Sequence, residues 1–389
     1  LEMAKKALAI KTTGEASWEY ARACLALKSP ETKTALEKVI ETDKSNAMAN
    51  RELGNIYYAE KKYDKALPLL KNAYNSQTDG ETAFKLATAY QKQQNLDSAA
   101  HYFKEATRDK NFKNTDAGLE LSRIYYKQEK FNLAAQEYGK LEMAKLSADD
   151  LYKFGHSLSK DGASKDSITS VLEAAVRKFG SSVSREALLA REKVGRAKLE
   201  KKAFQDALDL FLMISKADPQ EKTVKEQSFL IAEAYDGLGQ RQKAIPLLEK
   251  IIASDKNNVE AYARLADLYT KEKMGDKAQQ VYQKLLSLQP NNPKVYMSLG
   301  EYSLKTRKYE DALKYFQKSF TLEQNADAAQ GMMRAAWELK KFDLAADAAE
   351  SALHKDSTLS EPQLILAKIH LQNKNYTAAQ QILEKLSKT

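Results

Sequence analysis

Cysteine, histidine, proline and glycine are all scarce in this chain of 389 residues, at 1, 4, 7 and 14 copies. The lone thiol, Cys24, excludes an internal disulfide framework and an all-thiolate zinc site. His101, His156, His354 and His370 include no pair at metal-ligand spacing, so no metal and no cofactor is expected. So few turn residues cannot serve the many hairpins of an all-β chain, which favours helix. No run approaches eighteen apolar residues, and residues 1–20 lack the basic-then-apolar order of a secretion signal. The chain therefore reads as soluble, without membrane insertion, and a single cysteine is tolerated in cytoplasm and periplasm alike.

Catalytic motifs are equally scarce. Gly155-His156-Ser157-Leu158-Ser159 resembles a nucleophile elbow, but it ends in Ser rather than Gly. A helical pattern also surrounds it where strand-turn-helix is required. There is no phosphate-cradling glycine loop, zinc-protease motif or calcium loop. Carboxylates are plentiful, yet nothing singles out an acid/base pair. The expectation is a protein without chemistry of its own.

The net charge of +9 is unevenly spread: +2 in residues 1–150, +4 in 151–200 and +3 in 201–389. At the end of the middle stretch and just beyond, Arg191, Lys193, Arg196, Lys198, Lys201 and Lys202 stand against Glu192 and Glu200. A nucleic-acid binder shows a sustained basic stripe. With the signs mixed elsewhere, a solvated surface is the preferred reading and nucleic-acid binding through residues 191–202 the lesser alternative.

What the chain has in abundance is self-similarity. Leu53-Gly54, Tyr57, Tyr63, Ala66, Leu70 and Ala73 are echoed by Leu86-Ala87, Tyr90, Ala99, Phe103 and Ala106. Leu121-Ser122, Tyr125, Phe131, Ala134 and Tyr138 follow the same spacing, as do Leu299-Gly300, Tyr309, Ala312 and Phe316. Repeats start near residues 15, 47, 80, 115, 148, 188, 225, 259, 293, 326 and 360. Within each, apolar positions recur twice at helical spacing around a polar turn such as Glu60-Lys61-Lys62, so each unit is a pair of amphipathic helices.

The pattern resembles the tetratricopeptide repeat family, a helix-turn-helix unit of about 34 residues, over almost the whole chain. The resemblance implies an all-α fold, a right-handed α-solenoid superhelix of tandem hairpins. It also implies a non-enzymatic scaffold that binds peptide segments of partner proteins on a concave face. Small residues at repeat position 8 (Gly54, Ala87, Gly155, Gly300) and position 20 (Ala66, Ala99, Ala278, Ala312) permit close helix approach. Aromatics at position 17 (Tyr63, Phe131, Phe204, Tyr309, Phe342, Tyr376) are expected to fill the wedge between hairpins.

Residues 1–14 fit the second helix of a truncated repeat. A first array is expected over 15–180, a hinge at 181–187 in the longest inter-repeat step, and a second array over 188–389. Ile382, Leu383 and Leu386 end the chain without a polar cap helix, which makes self-association through uncapped ends a further alternative.

In the family, first-helix positions 2, 5, 9, 12 and 13 line the groove. Here the N-terminal repeats place Arg51, Asn55, Tyr58, Phe84, Gln91, Arg123, Tyr126, Lys127, Tyr152, His156 and Lys160 at such positions, a basic and aromatic set. Its cations are expected to favour an acidic or C-terminal segment of a protein ligand. Glu226, Glu233, Asp236, Glu260, Asp267 and Glu301 make the later groove acidic. Arg51-Glu52-Leu53-Gly54-Asn55 is similar to the Lys-x-x-Gly-Asn opening of carboxylate-clamp repeats, but Lys85 and Glu120 stand where that clamp has Asn and Arg.

Overall fold

The repeat phase read from the sequence is realised in a computed structural model of the chain, in which residues 2, 14–112 and 114–387 are described. The truncated helix expected over 1–14 lies, Glu2 and Gly14 apart, outside them. The described residues hold twenty-two α-helices, one 3₁₀ turn at Met143–Lys145 and no strand. The chain is an all-α solenoid of helical hairpins. It divides into two compact units, Leu1–Ala197 and Lys198–Thr389.

The first unit contains α1 (Gly14–Ala26), α2 (Thr32–Thr42), α3 (Ala47–Ala59), α4 (Tyr63–Ser76), α5 (Gly80–Lys92) and α6 (Leu96–Arg108). It continues with α7 (Thr115–Lys127), α8 (Phe131–Gly139), α9 (Ala148–Lys160), α10 (Lys165–Phe179) and most of α11 (Arg185–Glu200). The second contains α12 (Phe204–Ala217), α13 (Glu221–Gly237), α14 (Arg241–Ser254), α15 (Val259–Lys271), α16 (Gly275–Leu288) and α17 (Pro293–Lys305). It ends with α18 (Tyr309–Leu322), α19 (Ala326–Glu338), α20 (Phe342–Lys355), α21 (Ser360–Gln372) and α22 (Tyr376–Leu386).

Eight first helices begin at the residue read from the sequence; α1, α11 and α13 begin one to four residues early. In α11 and α13, 16 and 17 residues long, an added N-terminal turn accounts for the shift. Side-chain caps fix many of the starts. Asn46, Asp79, Asn114, Ser147, Asn258, Asn292 and Asn325 each accept a backbone N–H from the first turn of the helix they open. The turn inside each hairpin closes on a left-handed residue: Lys28, Lys61, Gln94, Glu129, Lys202, Lys273, Arg307, Lys340 and Lys374, with Gly162 and Gly239 serving two hairpins. At Lys61 the paired bonds Lys61 N–H to Tyr58 O and Lys62 N–H to Tyr57 O, both 2.9 Å, satisfy the last carbonyls of α3.

Close packing follows from the small residues. The alanines of position 20, from Ala66 to Ala345, are fully buried. A methyl at Gly54 would lie 2.9 Å from Leu70, and one at Gly155 2.6 Å from Leu172. The elbow-like segment around Gly155 is therefore mid-helix packing in α9. The deepest rings stand at one second-helix position: Phe103, Tyr138, Phe211 and Phe316 are at most 1% exposed. The position-17 aromatics are half-buried instead, and Tyr376 is 65% exposed. Several of them pack edge-on against the first helix of their own hairpin, as in Tyr58–Tyr63 and Trp337–Phe342.

In the first unit each helix from α1 to α10 packs on its neighbours in sequence, and in the second each from α12 to α22 does. In the first unit α3 also touches α5 and α7 touches α9, and in the second α17 touches α19, so first helices share a face. Arg191, counted in the basic patch from sequence, is buried. Its guanidinium donates to Ser182 O at 2.7 Å and Gly180 O at 2.6 Å, closing the end of α10 where Gly180 adopts φ +54°. Arg196 is paired with Glu192 at 2.9 Å, and Lys198 with Asp206 at 3.7 Å. Among the described residues no helix is long and apolar enough to cross a membrane.

Candidate functional site

The basic and aromatic residues expected from sequence to line the first part of a groove lie on first helices of the first unit, and the structure sorts them into two kinds. The first kind is bonded across consecutive hairpins. Arg51 Nη2 reaches the capping carboxylate of Asp79 at 2.7 Å. Lys85 donates to Asn55 Oδ1 at 2.8 Å and to Glu81 at 2.7 Å, so the position that departs from the clamp pattern fills the asparagine it should have joined. Gln91 donates to Glu120 at 2.7 Å. Arg123 forms a two-pronged pair with Asp150, Nε to Oδ1 at 2.8 Å and Nη2 to Oδ2 at 2.6 Å, and reaches Glu120 at 2.6 Å.

Asp150 is 1% exposed. Burial pushes its carboxyl up, but the guanidinium and the Ser147 hydroxyl outweigh it and hold the group below the usual carboxylate range. The same pairing raises the pKa of Arg123. The cations expected to receive an acidic ligand at positions 51 and 123 are thus engaged by carboxylates of the next hairpin. Phe84 is likewise occupied, packed against Phe103 and Phe112 with centroids 5.5 and 5.9 Å apart.

The second kind is aromatic and clustered. Tyr126 on α7, Phe131 at the start of α8, and Tyr152 and His156 on α9 converge. The imidazole of His156 lies 5.7 Å from the Tyr126 ring, 5.3 Å from Phe131 and 6.0 Å from Tyr152, the last nearly parallel at 15°. The Tyr126 hydroxyl and His156 Nδ1 are hydrogen-bonded at 2.8 Å. Tyr126, Phe131 and His156 are half-buried, Tyr152 buried, and Lys127 exposed beside them. Tyr58 repeats the theme on α3 against Tyr63 at 5.9 Å.

Burial, then the ammonium groups of Lys193 and Lys160, lowers the pKa of His156 below the ordinary histidine value. Burial raises both tyrosines, helped by Tyr152 and Glu186 at Tyr126 and by Glu186 at Tyr152, against Arg185. Sequence reading missed two members. Phe131 was assigned to the wedge by its repeat position, and Lys193 to the basic helix, because nothing in the periodicity of α11 marks the face it shares.

In the second unit the acidic stretch is also largely matched. Arg264 meets Glu233 at 3.1 Å and Glu260 at 3.0 Å. Arg241 meets Asp236 at 2.7 Å, and Lys271 bridges Asp236 and Asp267 at 2.6 and 2.7 Å. Among the described residues no cluster of three His, Cys, Asp or Glu side chains is placed to hold a metal.

Stacked hairpins with small residues at their contacts and cross-linked first helices define a repeat protein of helical hairpins. Tetratricopeptide-repeat family models match residues 33–80, 84–147, 237–302, 293–325 and 332–386, and the chain belongs to the tetratricopeptide repeat family. Similar solved structures include Pseudomonas aeruginosa PilF (19% identity, 52% of this chain and 91% of that one, TM-score 0.44). MamA of Desulfovibrio magneticus is another (20% identity, 46% and 95%, TM-score 0.39). Yeast Tom70 spans more of the chain (15% identity, 98% and 91%, TM-score 0.33). No curated protein matches the sequence.

Proposed function

We propose that the chain is a non-enzymatic scaffold that binds peptide segments of partner proteins on the first-helix face of its first unit, centred on Tyr126, Tyr152 and His156. The observation that supports this reading is the convergence of four rings from three helices on a face where Arg51, Asn55, Gln91 and Arg123 are already bonded to neighbouring hairpins. Aromatic side chains that stand half in water combine apolar area with a polar handle at little cost in rotamer entropy, the profile of interface hot spots. The cross-hairpin bonds at Arg51, Asn55, Gln91 and Arg123 hold the helices in register and so position the rings.

Selection of a dodecapeptide library displayed on phage against the full chain tests the assignment. Recovered peptides are expected to lose about tenfold or more in affinity on Tyr126→Ala with His156→Ala, and to keep it on Lys104→Ala in α6. Binding that ignores the first pair and depends on Lys104 sinks the assignment.

A further inference from the structure

On the first-helix face of this unit the two groove arginines are neutralised internally, whereas among the described residues the lysines Lys127, Lys160 and Lys193 are not. Arg51 and Arg123 each have a carboxylate of the next hairpin within 2.7 Å. Lys160 and Lys193 do not: among the described residues neither ammonium has a carboxylate at ion-pair distance or a hydrogen-bond acceptor. Lys160 lies one helical turn beyond His156 on α9, where side chains are neighbours. Lys193 approaches from α11, close enough to repel both the His156 imidazole and the Lys160 ammonium. It is half-buried, and burial, then Lys160, disfavours its charge, with only Glu192 opposing. Three positive or protonatable groups from two helices therefore act on one another beside the aromatic cluster, His156 by its ring contacts and Lys160 by its place one turn further along α9.

We propose that His156, Lys160 and Lys193 form an anion subsite that takes a side-chain carboxylate, Asp or Glu, of a peptide docked across the aromatic cluster; the proposal rests on the peptide-binding reading above. Charge complementarity selects the occupant, since a carboxylate relieves the mutual repulsion of the two ammonium groups and is met by donors from both sides. The hydrogen bond between the Tyr126 hydroxyl and Nδ1 leaves Nε2 of the imidazole for the ligand.

Binding is coupled to pH. The groups acting on the cluster are Tyr126 on α7, Tyr152 and Lys160 on α9, and Lys193, Arg185 and Glu186 on α11; Phe131 on α8 is apolar. A bound carboxylate favours the imidazolium, so affinity rises as pH falls through the histidine titration.

The test uses the full chain and three dye-labelled octapeptides: alternating Glu-Tyr with an amidated C-terminus, alternating Gln-Tyr amidated, and alternating Gln-Tyr with a free C-terminal carboxylate. The Glu peptide is expected to bind about tenfold or more tightly than either Gln peptide. The paired substitution Lys160→Gln and Lys193→Gln should remove that preference without weakening the amidated Gln peptide. Affinity for the Glu peptide should rise about threefold or more between roughly pH 7.5 and 5.5, and His156→Asn should flatten the rise. Equal binding of the Glu and amidated Gln peptides, both lost on Tyr126→Ala, overturns the subsite and leaves the peptide face standing. Preference for the free C-terminus alone overturns the side-chain assignment. Lysine-dependent binding indifferent to Tyr126→Ala keeps the subsite and overturns the aromatic face, and binding of no peptide overturns both.

Discussion

Arg123→Met is expected to lower the unfolding free energy by about 2–3 kcal/mol, although Arg123 stands on the face expected to bind ligand. Removing one member of a buried ion pair strands the other, at a cost of roughly 3–5 kcal/mol when both are fully enclosed. The smaller figure applies because the Arg123 side chain keeps 37% of its surface in water, whereas Asp150 keeps 1%. Asp150 retains the Ser147 hydroxyl at 2.5 Å and Tyr138 at 3.3 Å, which limits the loss further.

The pH dependence identifies the cause. Asp150 is held below its unfolded value, so its contribution is complete above about pH 4 and disappears as pH falls through the lower folded value. The difference between parent and variant, measured by urea unfolding, should be constant from neutrality to about pH 5 and shrink below about pH 4. A gap that persists into acid would trace the effect to lost packing by the arginine stem instead. A binding experiment that replaces Arg123 therefore reads stability as well as recognition, which is why the ring variants are the cleaner probes of the face.

Phe316→Ala should cost about 3–5 kcal/mol, the range for removing an aromatic ring from a core that cannot collapse around the space. The ring is 1% exposed and lies between two glycines that have given up a side chain to admit it. A methyl on Gly300 would come within 2.7 Å of it, and one on Gly331 within 2.4 Å. Gly300 belongs to its own hairpin and Gly331 to the next, so the loss falls on both the hairpin and its junction. In a repeat array, stability is the sum of unit and nearest-neighbour terms, and hydrogen exchange should show α17, α18 and α19 losing protection first. Uniform loss of protection across α12–α22 would show that the second unit unfolds as one cooperative body.

How much of this could be read in advance depends on how far along the chain the information lies. The repeat phase placed unit starts near residues 47, 80, 115 and 148, and Asn46, Asp79, Asn114 and Ser147, immediately before α3, α5, α7 and α9, fix those starts by capping locally. The same spacing showed Gly54 and Ala66 as contact points because the repeat demanded something small there. Arg51 and Arg123 were legible as candidate face residues, yet their partners lie about one repeat ahead, Asp79 as the cap of the following first helix and Asp150 in the first turn of it. Periodicity shows which way a side chain points and is silent on what answers it. Arg191 is the sharpest case: its neighbours in sequence suggest a surface charge, while the bend after α10 turns two carbonyls onto its guanidinium.

The hairpin turns leave a mark on the evolutionary freedom of the chain. Nine of them hold a Lys, Arg, Gln or Glu in the left-handed conformation that glycine adopts without penalty, at about 1 kcal/mol or more apiece. Each of those residues is local to its own turn. The molecule thus retains a row of separate, additive adjustments by which a lineage, or a protein engineer, can raise its melting point in small steps without redrawing any surface that meets another protein.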